Sequence, residues 1–322
     1  VERGIPLFTS LDTANALANA LTSRYSLGNV ELVDINNMRT KHKKLTFTKM
    51  RGTGNDYLYF DCFDQTVESP ESLAVRLSNR RTGVGSDGIV LIMPSTIADA
   101  KMRMFNADGT EGSVAGNALR CVCKYLYENG HVRKDEMAVE TGSGVKTAKL
   151  FIREDQVFSV LVDMGCPAFA PAKIPVKLDG DRVMMRPVFL AGEKREISCV
   201  SMGNPHVVIF VEDVNRIPLE QVGPQIETDS LFPERVNVSF AQIVDKNDIV
   251  MRVWERGIGE TAACGTGACA VAVAAVENGF CTRGADIDVR LPGGTLVVRY
   301  QEDGKVWLTG DANTDFTGTI EI

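Results

Sequence analysis

Glu260-Thr-Ala-Ala-Cys264-Gly-Thr-Gly-Ala-Cys269-Ala-Val-Ala-Val-Ala-Ala275 joins a glycine-bearing turn directly to a small-residue, apolar helix. Cys264 stands at the mouth of that helix, followed by Gly265, Thr266 and Gly267. The first N–H groups of a helix lack internal partners, and the aligned peptide dipoles add partial positive charge there. Such an end binds carboxylates and lowers a cysteine's pKa, giving a thiolate able to accept a proton. Taken alone, the stretch reads equally well as a tight turn before a buried helix, with Cys264 a small hydrophobe.

A shift of 149 positions finds a second copy. Glu111 falls on Glu260, Gly116 on Gly265, and Glu128-Asn-Gly130 on Glu277-Asn-Gly279. Gly54-Asn55 falls on Gly203-Asn204, and Gly144 on Gly293, with no insertion between the blocks. A duplication is expected, in which each half carries a Gly-Asn loop and a Gly-started helix. Two such halves facing each other aim two helix N-termini at one cleft. In this register Cys264 is matched by Ala115.

A chain of 322 residues is long enough for two domains with their own cores. A net charge of −7 without a Lys/Arg-rich stripe argues against nucleic acid as a partner. No apolar run approaches the ~20 residues of a membrane span, and residues 1–25 lack the apolar core of a secretory signal. Eight cysteines and three histidines show no metal-ligand spacing, so no metal site is expected. Reduced thiols in a cytoplasmic enzyme are the simplest expectation.

Residues 1–44 stand outside the repeat, with a helix capped by Asp12 and a strand at 30–35 expected there. A first lobe is expected over 45–156 and a second over 157–307, with the closing strand 308–322 able to pack back on the first. Short strands predominate, and each half has one long helix, starting near Asn117 and Gly265. Strands are expected at 183–190 and 197–201, and a short helix at 218–222. The fold class is therefore α+β, two pseudo-symmetric lobes in which a mixed or antiparallel sheet wraps a central helix.

Lys49-Met-Arg-Gly-Thr-Gly-Asn-Asp56, Phe105-Asn-Ala-Asp-Gly109, Gly116-Asn-Ala-Leu-Arg-Cys121, Ser201-Met-Gly-Asn-Pro-His206 and Glu255-Arg-Gly-Ile-Gly-Glu-Thr-Ala-Ala-Cys-Gly-Thr-Gly267 together resemble the diaminopimelate epimerase family, from about Leu45 to Ile322. The resemblance implies a cofactor-independent isomerase that inverts an amino-acid α-carbon with two cysteines, one on each side. Inversion needs an acid and a base on opposite faces of one carbon, which two related lobes supply. The weakly acidic α-proton requires prearranged donors for the developing charge. Gly116-Asn117 and Gly265-Thr266 would offer these from the two helix starts.

By the same resemblance Asn55, Asn106, Asn204 and Asn237 bind the substrate's polar ends. Arg256 pairs with a distal carboxylate, Glu255 holds the amino group, and His206 assists the acid/base pair. The substrate implied is a small amino acid with two carboxylates, and a homodimer is compatible with this. Each residue has a plainer role open to it: Asn after Gly is a turn former, Arg256 beside Glu255 a surface ion pair, and His206 a structural histidine. Cys121 and Cys269 lie deep in their helices and are expected to pack.

Two positions depart from the family. Position 115, where the second catalytic cysteine belongs, is alanine, and a methyl group exchanges no proton. Cys121 begins about 9 Å further along its helix and cannot deputise. Position 88 is Gly, where many members carry a Gln that touches substrate. The expectation is thus epimerisation of LL- to meso-diaminopimelate for lysine or cell-wall precursors, impaired as the chain is written. The alternatives are a racemase or epimerase of another amino acid using one cysteine, and a non-catalytic amino-acid-binding homologue.

Overall fold

In the computed structural model residues 44–112 and 116–322 are described. The expected helix after Asp12, the strand at 30–35 and Ala115 itself lie outside the described residues.

The first half opens with an antiparallel hairpin of strands Lys44–Gly52 and Asn55–Asp61. Its two-residue turn, Thr53-Gly54, has φ of 45° and 89°, the left-handed pair that matches strand twist in tight hairpins. Helix α1 (Pro70–Ser78) then crosses to the strand Gly88–Met93, which lies parallel to Asn55–Asp61. Parallel neighbours demand such a crossover, because a tight turn cannot reverse the chain twice. Ala100–Asn106 returns antiparallel, and the short strand Glu111–Gly112 folds back on it. Helix α2 (Gly116–Glu128) makes a second crossover to Glu136–Thr141, and Gly144–Arg153 and Gln156–Asp163 follow antiparallel.

The second half repeats this order. Glu193–Ser201 and Pro205–Phe210 form a hairpin, and α3 (Leu219–Glu227) crosses to Asn237–Asp245. Asp248–Glu255 and the short strand Gly259–Thr261 come next, and α4 (Gly265–Glu277) crosses to Asp286–Leu291. Gly294–Tyr300 and Val306–Gly310 close the copy. The register repeats as well. Tyr57↔Gly88 moves by the sequence shift onto His206↔Asn237, Ile89↔Phe105 onto Val238↔Trp254, and Met104↔Gly112 onto Val253↔Thr261. Even a two-pronged ion pair is duplicated. Arg103 Nε and Nη2 bond Glu111 at 2.7 and 2.9 Å, and Arg252 bonds Glu260 likewise at 2.8 and 3.0 Å.

Each long helix sits in its own apolar core. Every residue of α4 from Gly267 to Ala275 is buried, as expected of a helix apolar on all sides. Its alanines let strands approach closely, while Val271 and Val273 each contribute about 1.5–3 kcal/mol by burial. Around α2 the core gathers Leu119, Val122 and Leu126 with Val157, Val160 and Val162. The last three come from Gln156–Asp163, so the expected boundary after residue 156 falls within a hairpin whose second strand packs on the first core. That strand also pairs with Val306–Gly310, which joins the halves into one sheet of 18 strands among the described residues. The closing strand Asn313–Glu321 pairs with Lys44–Gly52, with Phe47 and Phe316 edge to face at 6.1 Å. The α+β class stands, with a mixed sheet wrapped around two central helices.

Two expected elements have different limits. The strand expected at 183–190 begins only at Arg186, because Met185 takes φ 45° and gives its N–H to Ser198 Oγ at 3.1 Å. The helix expected to stop at Val222 continues through Gly223-Pro224 to Glu227. Gly223 is needed there, since a Cβ would come within 2.7 Å of the Trp254 indole.

Candidate active site

The N-termini of α2 and α4 open into one cavity of about 880 Å³. From the first half, Asn55, Asn106, Gly116 and Asn117 line it; from the second, Asn204, Glu255, Cys264, Gly265 and Thr266 do. A Cβ placed on Gly265 would lie 3.8 Å from Asn117 Oδ1, so the two helix starts stand side by side. Each presents N–H groups without helical partners, and together they form a cradle for an anion.

Cys264 occupies the N-cap of α4 in extended conformation (φ −142°), and its side chain makes no cap to the helix. The sulfur turns instead to Glu255, donating to Oε2 at 3.3 Å, and sits 3.6 Å from Thr266 Oγ1. Gly267 leaves room for it, since a Cβ there would stand 3.2 Å from Sγ. The second oxygen of Glu255 accepts the Thr261 hydroxyl at 2.6 Å. Burial raises the Glu255 pKa above its ordinary value, against the lowering pull of those two donors.

Burial also pushes the Cys264 thiol well above its ordinary value, and the Glu255 charge adds to this; the Thr266 hydroxyl and Gly267 N–H oppose it. The depressed thiol pKa expected from the helix start is therefore corrected. At 5% exposure, a thiolate beside a carboxylate loses more hydration than the helix terminus returns.

Two polar relays support the walls. In the first, Asn117 Nδ2 donates to Asn55 Oδ1 at 2.6 Å and Asn55 Nδ2 to Asp87 Oδ2 at 3.1 Å. Arg80 binds Asp87 and Asp56 at 2.9 and 2.6 Å. In the second, Asn204 Nδ2 donates to Thr266 Oγ1 at 3.2 Å, and its Oδ1 lies 3.0 Å from His206 Nε2. Burial, with repulsion from Arg256, lowers the His206 pKa to about 3, so the ring is neutral and presents a hydrogen to Asn204.

Three expected site residues do not line the cavity. His206 is fully buried behind Asn204. Asn237 is buried and braces backbone, donating to Pro205 O at 2.8 Å and accepting the Arg256 N–H at 2.9 Å. Arg256 is exposed, and its guanidinium donates to Glu234 O at 3.1 Å. Gly88 has no room for a side chain, because a Cβ would fall 2.1 Å from Phe105 O. Arg80, Asp87, Thr261 and Tyr57 line the cavity without having been singled out in the sequence. Thr261 lay inside the quoted stretch, and Tyr57 is the shift partner of His206, so both signals were present.

A family model described as diaminopimelate epimerase matches residues 47–170 and 198–314. The curated diaminopimelate epimerase of Acetivibrio thermocellus is 48% identical over 279 residues, covering 86% of this chain and 99% of its own. That of Desulfovibrio desulfuricans is 50% identical over 285 residues, with 86% and 99% covered. Among solved structures, a PhzF-family phenazine biosynthesis protein of Bacillus anthracis matches with a TM-score of 0.64 at 18% identity, covering 87% of this chain and all of its own. A probable proline racemase of Agrobacterium radiobacter matches with a TM-score of 0.61 at 15% identity, with 86% and 92% covered. Identities this low establish the shared fold and nothing finer.

Proposed function

The chain belongs to the diaminopimelate epimerase family, and we propose that its cavity binds diaminopimelate and acts on the α-carbon from the Cys264 side. The observation that carries this is the Cys264 thiol held 3.3 Å from the Glu255 carboxylate at the joint mouth of two helix N-termini. An α-carboxylate seated on the N–H groups of Gly116, Asn117, Gly265 and Thr266 would set the α-carbon beside that sulfur. Glu255 takes the thiol proton as the sulfur takes the α-proton, and the helix starts hold the charge that develops on the carboxylate. The thiol hydrogen is then in exchange with solvent through Glu255. Asn55, Asn106 and Asn204 hold the polar ends, and Asn237 and His206 brace them from behind. Arg256, one residue beyond Glu255, would have to leave the Glu234 carbonyl to meet a distal carboxylate.

Inversion needs a second proton from the opposite face, and position 115 carries a methyl group in place of the expected thiol. We accordingly propose an isomerase of the lysine and cell-wall precursor route whose turnover is impaired as the chain stands. The eight cysteines lie among the described residues as free thiols, which supports a reducing, cytoplasmic setting.

Incubation of the chain and of Ala115→Cys with each diaminopimelate stereoisomer in D2O, followed by NMR of the α-protons, tests this. Deuterium entry without inversion is expected in the chain as written, and inversion in Ala115→Cys. Absence of both binding and exchange in either form would refute the assignment, and binding without exchange in either would point to a non-catalytic binder.

A further inference from the structure

Arg120 is a fully buried guanidinium on α2, four residues inside the Gly116 start. Its hydrogen bonds run to uncharged groups: Nε donates to Asp311 O at 3.0 Å, and Nη2 to Thr53 Oγ1 at 2.8 Å. The Asp311 carboxylate is nearby but engaged elsewhere. Its Oδ1 accepts the Thr53 N–H and hydroxyl at 2.8 and 2.7 Å, and its Oδ2 accepts Asn313 Nδ2 at 2.6 Å. Two glycines clear the slot: a Cβ on Gly310 would lie 2.7 Å from Arg120 Cζ, and one on Gly52 would lie 3.3 Å from Nη2. The sequence shift pairs Arg120 with Cys269 of α4, so one half alone has placed a cation at this level of its helix.

A buried cation without a directly paired anion is expensive, and an apolar side chain of similar length would fill the slot more stably. What the charge supplies is a positive potential beneath a helix terminus in a medium of low dielectric, where it acts strongly on an anion. The geometry carries the effect to the cavity. Arg120 grips Thr53, Thr53 sits in a strained left-handed turn at φ 45°, and two residues later Asn55 receives Asn117 at 2.6 Å. Asn117 Oδ1 is buried at the cavity wall and meets no hydrogen-bond partner among the described residues.

We propose that Arg120 is a positioning residue for carboxylate recognition: its cation biases the helix starts toward an anion, and its grip on Thr53 fixes Asn55 and Asn117 at the cavity wall. This rests on the assignment of the cavity as a diaminopimelate site. A purely structural role predicts that affinity losses follow stability losses, whereas positioning predicts that the two separate. Diaminopimelate affinity by titration calorimetry and stability by urea unfolding are measured for the full chain, Arg120→Met, Arg120→Lys and Thr53→Val. Arg120→Met is expected to hold or raise the urea midpoint while weakening binding about tenfold. Arg120→Lys is expected to recover part of that affinity, and Thr53→Val to lose about fivefold.

Binding by Arg120→Met within twofold of the full chain would overturn the proposal, as would losses across the variants that simply track stability. If Arg120→Met does not fold, Thr53→Val decides, and unchanged affinity there would overturn it. Failure of the full chain to bind diaminopimelate removes the functional assignment and this proposal with it. Binding that is indifferent to Arg120 removes this proposal alone.

Discussion

Replacing Glu255 with Gln keeps the side chain's shape and removes the charge that faces the Cys264 sulfur at 3.3 Å. At that distance, like charges repel by about 1 kcal/mol with the dielectric of water and by about 5 kcal/mol at an effective dielectric of ~20. The Cys264 thiol pKa should therefore fall by about one to nearly four units. Burial remains the larger cause of its elevation, so the pKa stays above neutral. At pH 8 the thiolate fraction rises by about tenfold or more. Nucleophilicity declines as the pKa falls, which trims the gain in alkylation rate to about threefold or more. Iodoacetamide labelling read by mass spectrometry on the Cys264 peptide, with exposed Cys166 as internal standard, measures this directly. An unchanged rate at Cys264 would show that the carboxylate does not oppose the thiolate, whereas a slower one would show that its service as proton acceptor outweighs that repulsion.

Gly88→Ala should cost about 3 kcal/mol or more in urea unfolding, because the new Cβ would fall 2.1 Å from Phe105 O and force two central strands apart; a loss below about 1 kcal/mol would contradict the packing described. His206, with its pKa lowered to about 3 from an ordinary 6.5, binds its proton more readily in the unfolded chain. Its contribution is thus fully present above pH 6.5 and is lost as pH falls toward 3, by up to about 5 kcal/mol. His206→Gln should flatten stability against pH across that window, and His206 imidazole signals that titrate between pH 5 and 8 would refute the burial argument.

Much of the fold was legible because its signals are periodic or repeated. Alternating strands such as Asp286–Leu291 and the uniformly apolar α4 declare themselves locally, and a fixed shift in the sequence relates the halves. Elements of two or three residues, Glu111–Gly112 and Gly259–Thr261, are too short for alternation to register. Gly223-Pro224 reads as a stop, yet the helix continues through it, and the glycine is there because Trp254 fills the space a Cβ would take. At the site, Cys264, Glu255 and the two helix starts could be named from their motif. The thiol's protonation could not, because a helix terminus is a local feature and burial is a tertiary one. The same limit explains Asn237 and His206: side chains that brace and side chains that touch carry identical motif signals.

Duplication by itself builds a symmetric cradle, and a symmetric cradle suits the carboxylate that both helix starts share. The acid/base work is different, because the two faces of a carbon must be served by groups in opposite protonation states. The copies differ at most positions, and the groups proposed for that work are among the differences. Tyr57 corresponds to His206, Asn106 to Glu255, Ala115 to Cys264 and Arg120 to Cys269, whereas the Arg103–Glu111 and Arg252–Glu260 pairs that fasten the sheets are kept in both. Packing keeps the register in both halves while the residues change, as Leu119 against Ala268 and Leu126 against Ala275 show. On the function proposed above, the thiol beside a half-buried carboxylate makes the Cys264 face the one on which proton exchange should be sought.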